Sequence, residues 1–308
     1  GTSSLGRQVF AASQRWNTTV EGLSHRKKAI EDALPELDQV AALPAASDDD
    51  GADYRNGDGY VLSGPEYITV FDGRTGAELA TVNHPVPRGN VGSWGDTYGN
   101  RLDRYNAGVA MVTDGGSASG RPSLIRQRGY YTRMTISALH WRDGQLSTNW
   151  IFDSNNAGNG AAAGQGDHSA MTADMDGDGA QEINTGATTI GSDGTFRCTT
   201  GRGHGDAQHV GELIPGRGIT VFTVYEGGGG YSVHSGDTCQ IYAQAQGGDD
   251  NGRGVAEDVY AGSPGAEFWS ATSSNLMSCA DGSNVGSEPS SQNFLIYWDA
   301  DESRELQD

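Results

Sequence analysis

The hydrophobic pattern divides the chain in two. Up to about residue 45, apolar positions fall near helical spacing, from Lys27-Lys28-Ala29-Ile30 through Ala33-Leu34 to Leu43, so this stretch predicts a helix that Pro35 kinks or restarts. After the acidic run Asp48-Asp49-Asp50 the pattern becomes short β-type segments between Gly, Asp and Asn turns. The division predicted is a short helical N-terminal segment over residues 1–45 and a β domain over residues 46–308.

The β region repeats itself. Asp174-Met175-Asp176, Glu212-Leu213-Ile214, Asp258-Val259-Tyr260 and Asp299-Ala300-Asp301 each follow a small or apolar stretch and precede a turn and another apolar segment, at intervals of 38, 46 and 41 residues. A similar unit runs from Val109-Ala110-Met111-Val112 to Ser123-Leu124-Ile125. A period near 40 with several short strands per unit predicts an all-β fold, a β-propeller whose blades bury little alone and must stack around an axis. The alternative is a β-sandwich with accidental spacing.

Composition adds exclusions. The 308 residues hold 47 Gly, and 40 Asp+Glu against 20 Lys+Arg give a net charge of −20. Such a balance repels phosphate backbones and anionic lipid heads, so no nucleic-acid or membrane partner is expected. The longest apolar run, Phe294 to Trp298, is strand-sized and far short of a bilayer span. Lys occurs only at 27 and 28, and salt adaptation, a halophilic surface, is one explanation of the bulk charge. Cys198, Cys239 and Cys279 show no CxxC spacing and allow at most one bridge.

The chemistry sits in loops. Asp174, Asp176, Asp178 and Glu182 place carboxylates around a tight Gly-containing turn, a set of hard oxygens suited to Ca²⁺. His168, in Gly164-Gln165-Gly166-Asp167-His168, lies 36 residues before His204, in Gly203-His204-Gly205-Asp206. One repeat of separation predicts equivalent ends of neighbouring blades. A His among glycines has little apolar packing to explain it, although a core histidine is the alternative; His204 with Asp206 fits a metal or acid–base pair. Arg253, in Gly252-Arg253-Gly254, recurs one unit later and suits a bidentate carboxylate partner, the alternative being a surface ion pair. A cation site beside an Arg is a receptor for an acidic polysaccharide substrate, because neutralising a uronate carboxylate acidifies the neighbouring proton.

These residues resemble a known family. Asp53-Tyr54-Arg55-Asn56 with Gly59 to Tyr67, Val70-Phe71-Asp72-Gly73, Trp94-Gly95-Asp96 with Tyr98 to Arg104, and Arg121 to Ile125 with Arg128 to Arg133 match in order. The match continues through Gly164-Gln165-Gly166, the acidic loop, Gly203 to His209, Gly252-Arg253-Gly254, Pro264 to Glu267 and Asn293 to Ile296. Over residues 50–308 the sequence is similar to the rhamnogalacturonan lyases of polysaccharide lyase family 11. The resemblance implies a secreted eight-bladed propeller, structural Ca²⁺ ions, and β-elimination in the rhamnogalacturonan backbone of pectin. It implies Ca²⁺ ligands at His168, His204 and Asp206; the two histidines also stand as catalytic candidates together with Arg253, a base or substrate clamp. Supporting roles fall to Asp96 and Asn100 near metal and to Tyr131, Arg133 and His209 near substrate.

The sequence also departs from the family. An N-terminal β domain, the first blades, and later blades that bring a Lys and a Tyr to the substrate have no counterpart here. Asp167 stands where Asn is usual, and Glu226 to Gly230 is Gly-rich. Open strand edges invite pairing. A glycan-binding relative without activity, or a homo-oligomer that builds an extracellular assembly through its edges, are therefore alternative expectations.

Overall fold

The computed structural model describes residues 52–118, 120–292, 294–296 and 305–307. The expected helix over 27–43 and the 1–45 segment lie outside these residues. Among the described residues the fold is all-β, with two short 3₁₀ turns, Val91–Trp94 and Gly160–Ala162.

A hairpin of β1 (Tyr67–Phe71) and β2 (Glu78–Asn83) leads into four successive four-stranded antiparallel sheets. The first is β3 (Tyr105–Ala110), β6 (Ser123–Arg128), β7 (Thr135–Arg142) and β8 (Gln145–Asp153), with a small hairpin of β4 (Thr113–Asp114) and β5 (Ser117–Ala118) inserted after β3. The second is β9 (Met171–Ala173), β10 (Glu182–Thr185), β11 (Thr188–Ile190) and β12 (Phe196–Thr199). The third is β13 (Gly205–Gly211), β14 (Thr220–Tyr225), β15 (Tyr231–Ser235) and β16 (Ile241–Ala245). The fourth is β17 (Gly254–Glu257), β18 (Glu267–Ser270), β19 (Asn275–Ser278) and β20 (Asn284–Ser287). A last pair, β21 (Phe294–Ile296) and β22 (Glu305–Gln307), follows.

Middle strands such as β14 (TVFTVY) and β10 (EINT) are buried along their whole length, whereas β8 alternates. Strands covered on both faces lose the simple apolar–polar alternation. The cover is the neighbouring sheet. Ile125, Ile136 and Ala138 of the first sheet pack with Ile183 and Ile190 of the second, and Phe222, Val224 and Val233 of the third with Ala256 and Phe268 of the fourth. Between the second and third sheets the contacts are more polar: Thr189 Oγ1 donates to Gly236 O, and a Cys198–Cys239 disulfide closes the seam. The repeated acids occupy equivalent places, since Asp174, Glu212 and Asp258 all lie in the turn between the first and second strands of their sheets.

Candidate functional site

His204 and Arg253 stand immediately before β13 and β17, and His168 stands three residues before β9. Arg104 holds the corresponding position before β3. The two His motifs interlock through their backbones. Gly166 O accepts the Gly205 N–H at 3.2 Å, Gln165 Oε1 accepts the Gly203 N–H at 2.9 Å, and Asp167 bridges Gly205 in parallel. Gly205 is required by close approach, because a Cβ there would meet Asp167 Oδ2 and Val224 O at 2.7 Å. Gly203 lies at φ +94°, in the left-handed region.

The imidazoles face one carboxylate. Asp206 Oδ1 lies 3.1 Å from His168 Nε2 and 3.6 Å from His204 Nε2. His204 Nδ1 lies 2.6 Å from Gly166 O, and a carbonyl only accepts, so Nδ1 carries the proton. In the neutral ring this leaves a lone pair on Nε2, which is buried without a hydrogen-bond partner. That is how a backbone carbonyl fixes the tautomer of a metal-binding His. Nitrogen and oxygen ligand atoms of His168, His204 and Asp206 lie within 4.8 Å of one another.

Aromatic rings wall the site. Tyr130 stacks on His204 at 5.4 Å and 3°, and Tyr131 lies 4.1 Å from the same ring while its hydroxyl is 3.1 Å from His168 Nε2. Arg101 covers Tyr131 at 3.9 Å and Arg104 at 5.5 Å. Burial alone would push the Asp206 carboxyl up, but the hydrogen bond and charge from His168 outweigh it and hold the group well below the usual range. The hydrogen bond that His168 donates to Asp206 raises His168 in return, against burial. Asp167, fully buried beside them, is pushed up to about 7 by desolvation.

A further acidic set shares Asp206. Glu226 and Asp250 join it with ligand oxygens within 4.8 Å, the Glu226 N–H bonding His204 O at 3.0 Å and Glu226 bridging Asp250. Sequence reasoning missed Glu226, Asp250, Arg104 and Tyr130 as parts of this site. Arg104 and Tyr130 stood within matched strings, and Arg104 also in its position before a first strand.

The acidic loop forms a separate group. Asp174, Asp176 and Glu182 gather within 4.8 Å, with Glu182 fully buried and its Oε1 without a hydrogen bond, 3.9 Å from the Arg197 guanidinium. Burial raises Glu182 above the ordinary range. Asp178 is not brought into this group, its Oδ1 accepting the Ala180 N–H instead. Arg197 binds Asp176 and Asp237, each at 2.6 Å, and so ties this loop to the third sheet.

Other candidates lie elsewhere. Arg133 pairs with Asp153 at 2.5 Å and covers Trp94, so its guanidinium is committed to the first sheet. Asp96 accepts the N–H groups of Tyr98, Gly99 and Arg101, and Asn100 Oδ1 accepts from Arg104; Asp96 is outside the three clusters. His209 is in β13 beside Phe222. Arg253 is exposed at the head of β17, its carbonyl accepting the Ala271 N–H.

Residues 42–308 match the family model for rhamnogalacturonan lyase family 11, C-terminal domain. Rhamnogalacturonan endolyase YesW of Bacillus subtilis (strain 168) is 49% identical over 262 residues, covering 83% of this chain and 41% of that protein. Rhamnogalacturonan exolyase YesX of the same strain is 45% identical over 271 residues, covering 84% and 44%. The solved Bacillus licheniformis rhamnogalacturonan lyase PL11 is 50% identical with a TM-score of 0.76, covering 83% of this chain and 44% of that one. The chain thus spans less than half the length of these relatives.

Proposed function

Because the chain belongs to rhamnogalacturonan lyase family 11, we propose that it carries the cation-binding part of a secreted lyase that cleaves rhamnogalacturonan by β-elimination. The observation that carries this reading is the buried, unpartnered Nε2 of His204, its tautomer set by Gly166 O, beside a carboxylate held ionised. Ca²⁺ prefers oxygen to imidazole nitrogen, so the Asp206 and Glu226 carboxylates would supply its hard ligands, with the histidines beside them. His168, His204, Asp206 and Glu226 would hold it, and a bound Ca²⁺ supplies charge neutralisation to a uronate carboxylate.

The chain's own residues would do the rest. Arg253, exposed at the head of β17, would bring a permanently charged planar fork to the same carboxylate. Tyr131, backed by Arg101 and Arg104, presents a ring edge and hydroxyl on the wall of the site. The reaction removes the C5 proton of galacturonate as the O4 substituent leaves, and the bonding pair becomes a C4–C5 double bond. In this reading the four sheets are consecutive blades of a propeller; their serial stacking and the recurrence of Arg104, His168, His204 and Arg253 before the first strands support it. Asp174, Asp176 and Glu182 would hold a structural Ca²⁺, supported by the convergence of their oxygens and by a buried Glu182 Oε1 that no hydrogen bond satisfies, Arg197 lying 3.9 Å away. The Cys198–Cys239 disulfide supports an oxidising, extracellular setting.

The test uses rhamnogalacturonan I with Ca²⁺ or a chelator, following the ultraviolet absorbance of unsaturated uronate ends alongside polymer binding. Product that depends on Ca²⁺ and falls at least about tenfold in His204→Ala is expected. Binding without product would leave a glycan-binding module, and neither would end the reading.

A further inference from the structure

A groove of about 440 Å³ is lined by Gly59, Tyr60, Val61, Tyr98, Asn100 and Asp103, and Arg104, which bonds Asn100 and approaches the Tyr131 ring at 5.5 Å, links it to the wall of the cation cluster. The groove floor is aromatic. The Tyr60 and Tyr98 rings stand 5.8 Å apart at 49°, and the residues are 45% and 49% exposed, high for such large rings.

Both tyrosines are presented on braced turns. Asn56 Oδ1 accepts the Asp58 and Tyr60 N–H groups, and Arg55 bridges Val61, which fixes the first turn. Asp96 takes the N–H groups of Tyr98, Gly99 and Arg101 on its two oxygens, which fixes the second. A preorganised pair of rings loses little freedom on binding, so its contact area is retained as affinity.

The lining sets the occupant's chemistry. It contains one carboxylate, Asp103, one amide, Asn100, and no basic side chain. The basic groups next to this lining are committed: the fully buried Arg128 lies 3.6 Å from Asp103, Arg104 donates to Asn100 Oδ1 at 3.3 Å, and Arg101 covers Tyr131, whose hydroxyl is 3.1 Å from His168 Nε2. An anionic sugar therefore belongs on the arginine and cation side, and an uncharged sugar on the tyrosine side. An aromatic pair flanked by an amide and a carboxylate matches a pyranose with one apolar face and hydroxyls at its rim. Rhamnose, which carries a methyl group in place of a charged or hydroxymethyl substituent, has such a face.

We infer that Tyr60 and Tyr98, with Asn100 and Asp103, form a subsite for a neutral deoxysugar of a substrate whose neighbouring uronate lies at the cation cluster. This rests on the lyase reading and adds an alternation to it. Charged and uncharged sugars of one chain meet charged and aromatic surfaces on the two sides of loop 96–104.

Calorimetric titration with rhamnogalacturonan I oligosaccharides, polygalacturonate and methyl α-L-rhamnopyranoside tests it on the natural chain, Tyr60→Ala, Tyr98→Ala and Tyr98→Phe. Tyr60→Ala and Tyr98→Ala are each expected to weaken the oligosaccharide about tenfold, with Tyr98→Phe near the natural value, because the ring supplies the contact. Polygalacturonate affinity is expected to stay unchanged, and rhamnoside binding to survive chelation. Oligosaccharide affinity unchanged in both alanine variants would overturn the subsite, and so would equal losses for polygalacturonate. If unsaturated product still forms in that case, the lyase reading stands alone. If the natural chain neither binds nor cleaves rhamnogalacturonan I, both fall.

Discussion

At the scale of single residues, buried polar groups decide most of the behaviour that can be measured. His234, in the middle of β15, is fully buried, and desolvation lowers its pKa to about 3. The unfolded chain takes up that proton near the ordinary imidazole value of about 6.5, while the folded chain refuses it. Protons bound by the unfolded state exceed those of the native state throughout this window, so stability falls as pH drops from about 6.5 towards 3, by up to ~1.4 kcal/mol per unit. Replacing His234 with Leu should flatten the slope of unfolding free energy against pH in that window, read by urea titration. Asn251 acts by geometry instead. Its Nδ2 donates to Tyr225 O and Gly230 O, and its Oδ1 accepts from Thr272. It thereby holds the turn that carries Glu226 against the one that carries Asp250. Asn251→Ala removes the Nδ2 donor from Tyr225 O while Gly230 O keeps the Tyr225 N–H, a cost of about 1–3 kcal/mol by denaturant unfolding. It should also weaken cation binding, read by terbium luminescence, whereas Thr272→Val, which keeps both Nδ2 bonds, should spare it.

At the scale of elements, the seam between the second and third sheets is cross-linked twice. The disulfide joins Cys198 of β12 to Cys239 in the turn before β16, and Arg197 joins Asp176 to Asp237 beside it. Closing a loop of 41 residues contributes about 4 kcal/mol on the chain-entropy account. The double variant Cys198→Ser, Cys239→Ser should lower the urea midpoint correspondingly and stay folded, because the Arg197 clip remains; an unchanged midpoint would refute the account. These elements also show what a linear pattern can and cannot carry. The acidic turns recur in sequence because each sheet needs the same turn between its first two strands, so the repeat and the His168, His204 and Arg253 positions were legible. Glu226 and Asp250 were not, since each is an ordinary acid in a Gly-rich turn until the Glu226–His204 and Glu226–Asp250 backbone contacts bring it to Asp206. Arg133 misled for the converse reason. Its motif matched, but its partner Asp153 lies across the same sheet and absorbs the charge.

At the scale of the whole molecule, 40 acidic side chains against 20 basic ones oppose compaction through self-repulsion. Added salt shortens the reach of that repulsion to about 10 Å at 0.1 M, so the thermal midpoint should rise with NaCl, gradually and without saturation at low concentration. Acidic loops that hold an ion respond differently. Binding to the folded chain stabilises in proportion to the logarithm of free ligand over its dissociation constant, and only the divalent ion fills the site. At equal ionic strength CaCl₂ should therefore raise the midpoint above the NaCl value, and the excess should shrink in Asp174→Ala and in His204→Ala by separate amounts. The two clusters share no ligand, so the losses should add in the double variant. Superimposed NaCl and CaCl₂ curves would mean that both clusters are solvated acid and that screening explains the whole response. A CaCl₂ excess lost with Asp174→Ala and untouched by His204→Ala would keep the ion in the acidic loop and remove it from the His168–His204–Asp206 cluster, and with it the charge neutralisation proposed there for a uronate carboxylate.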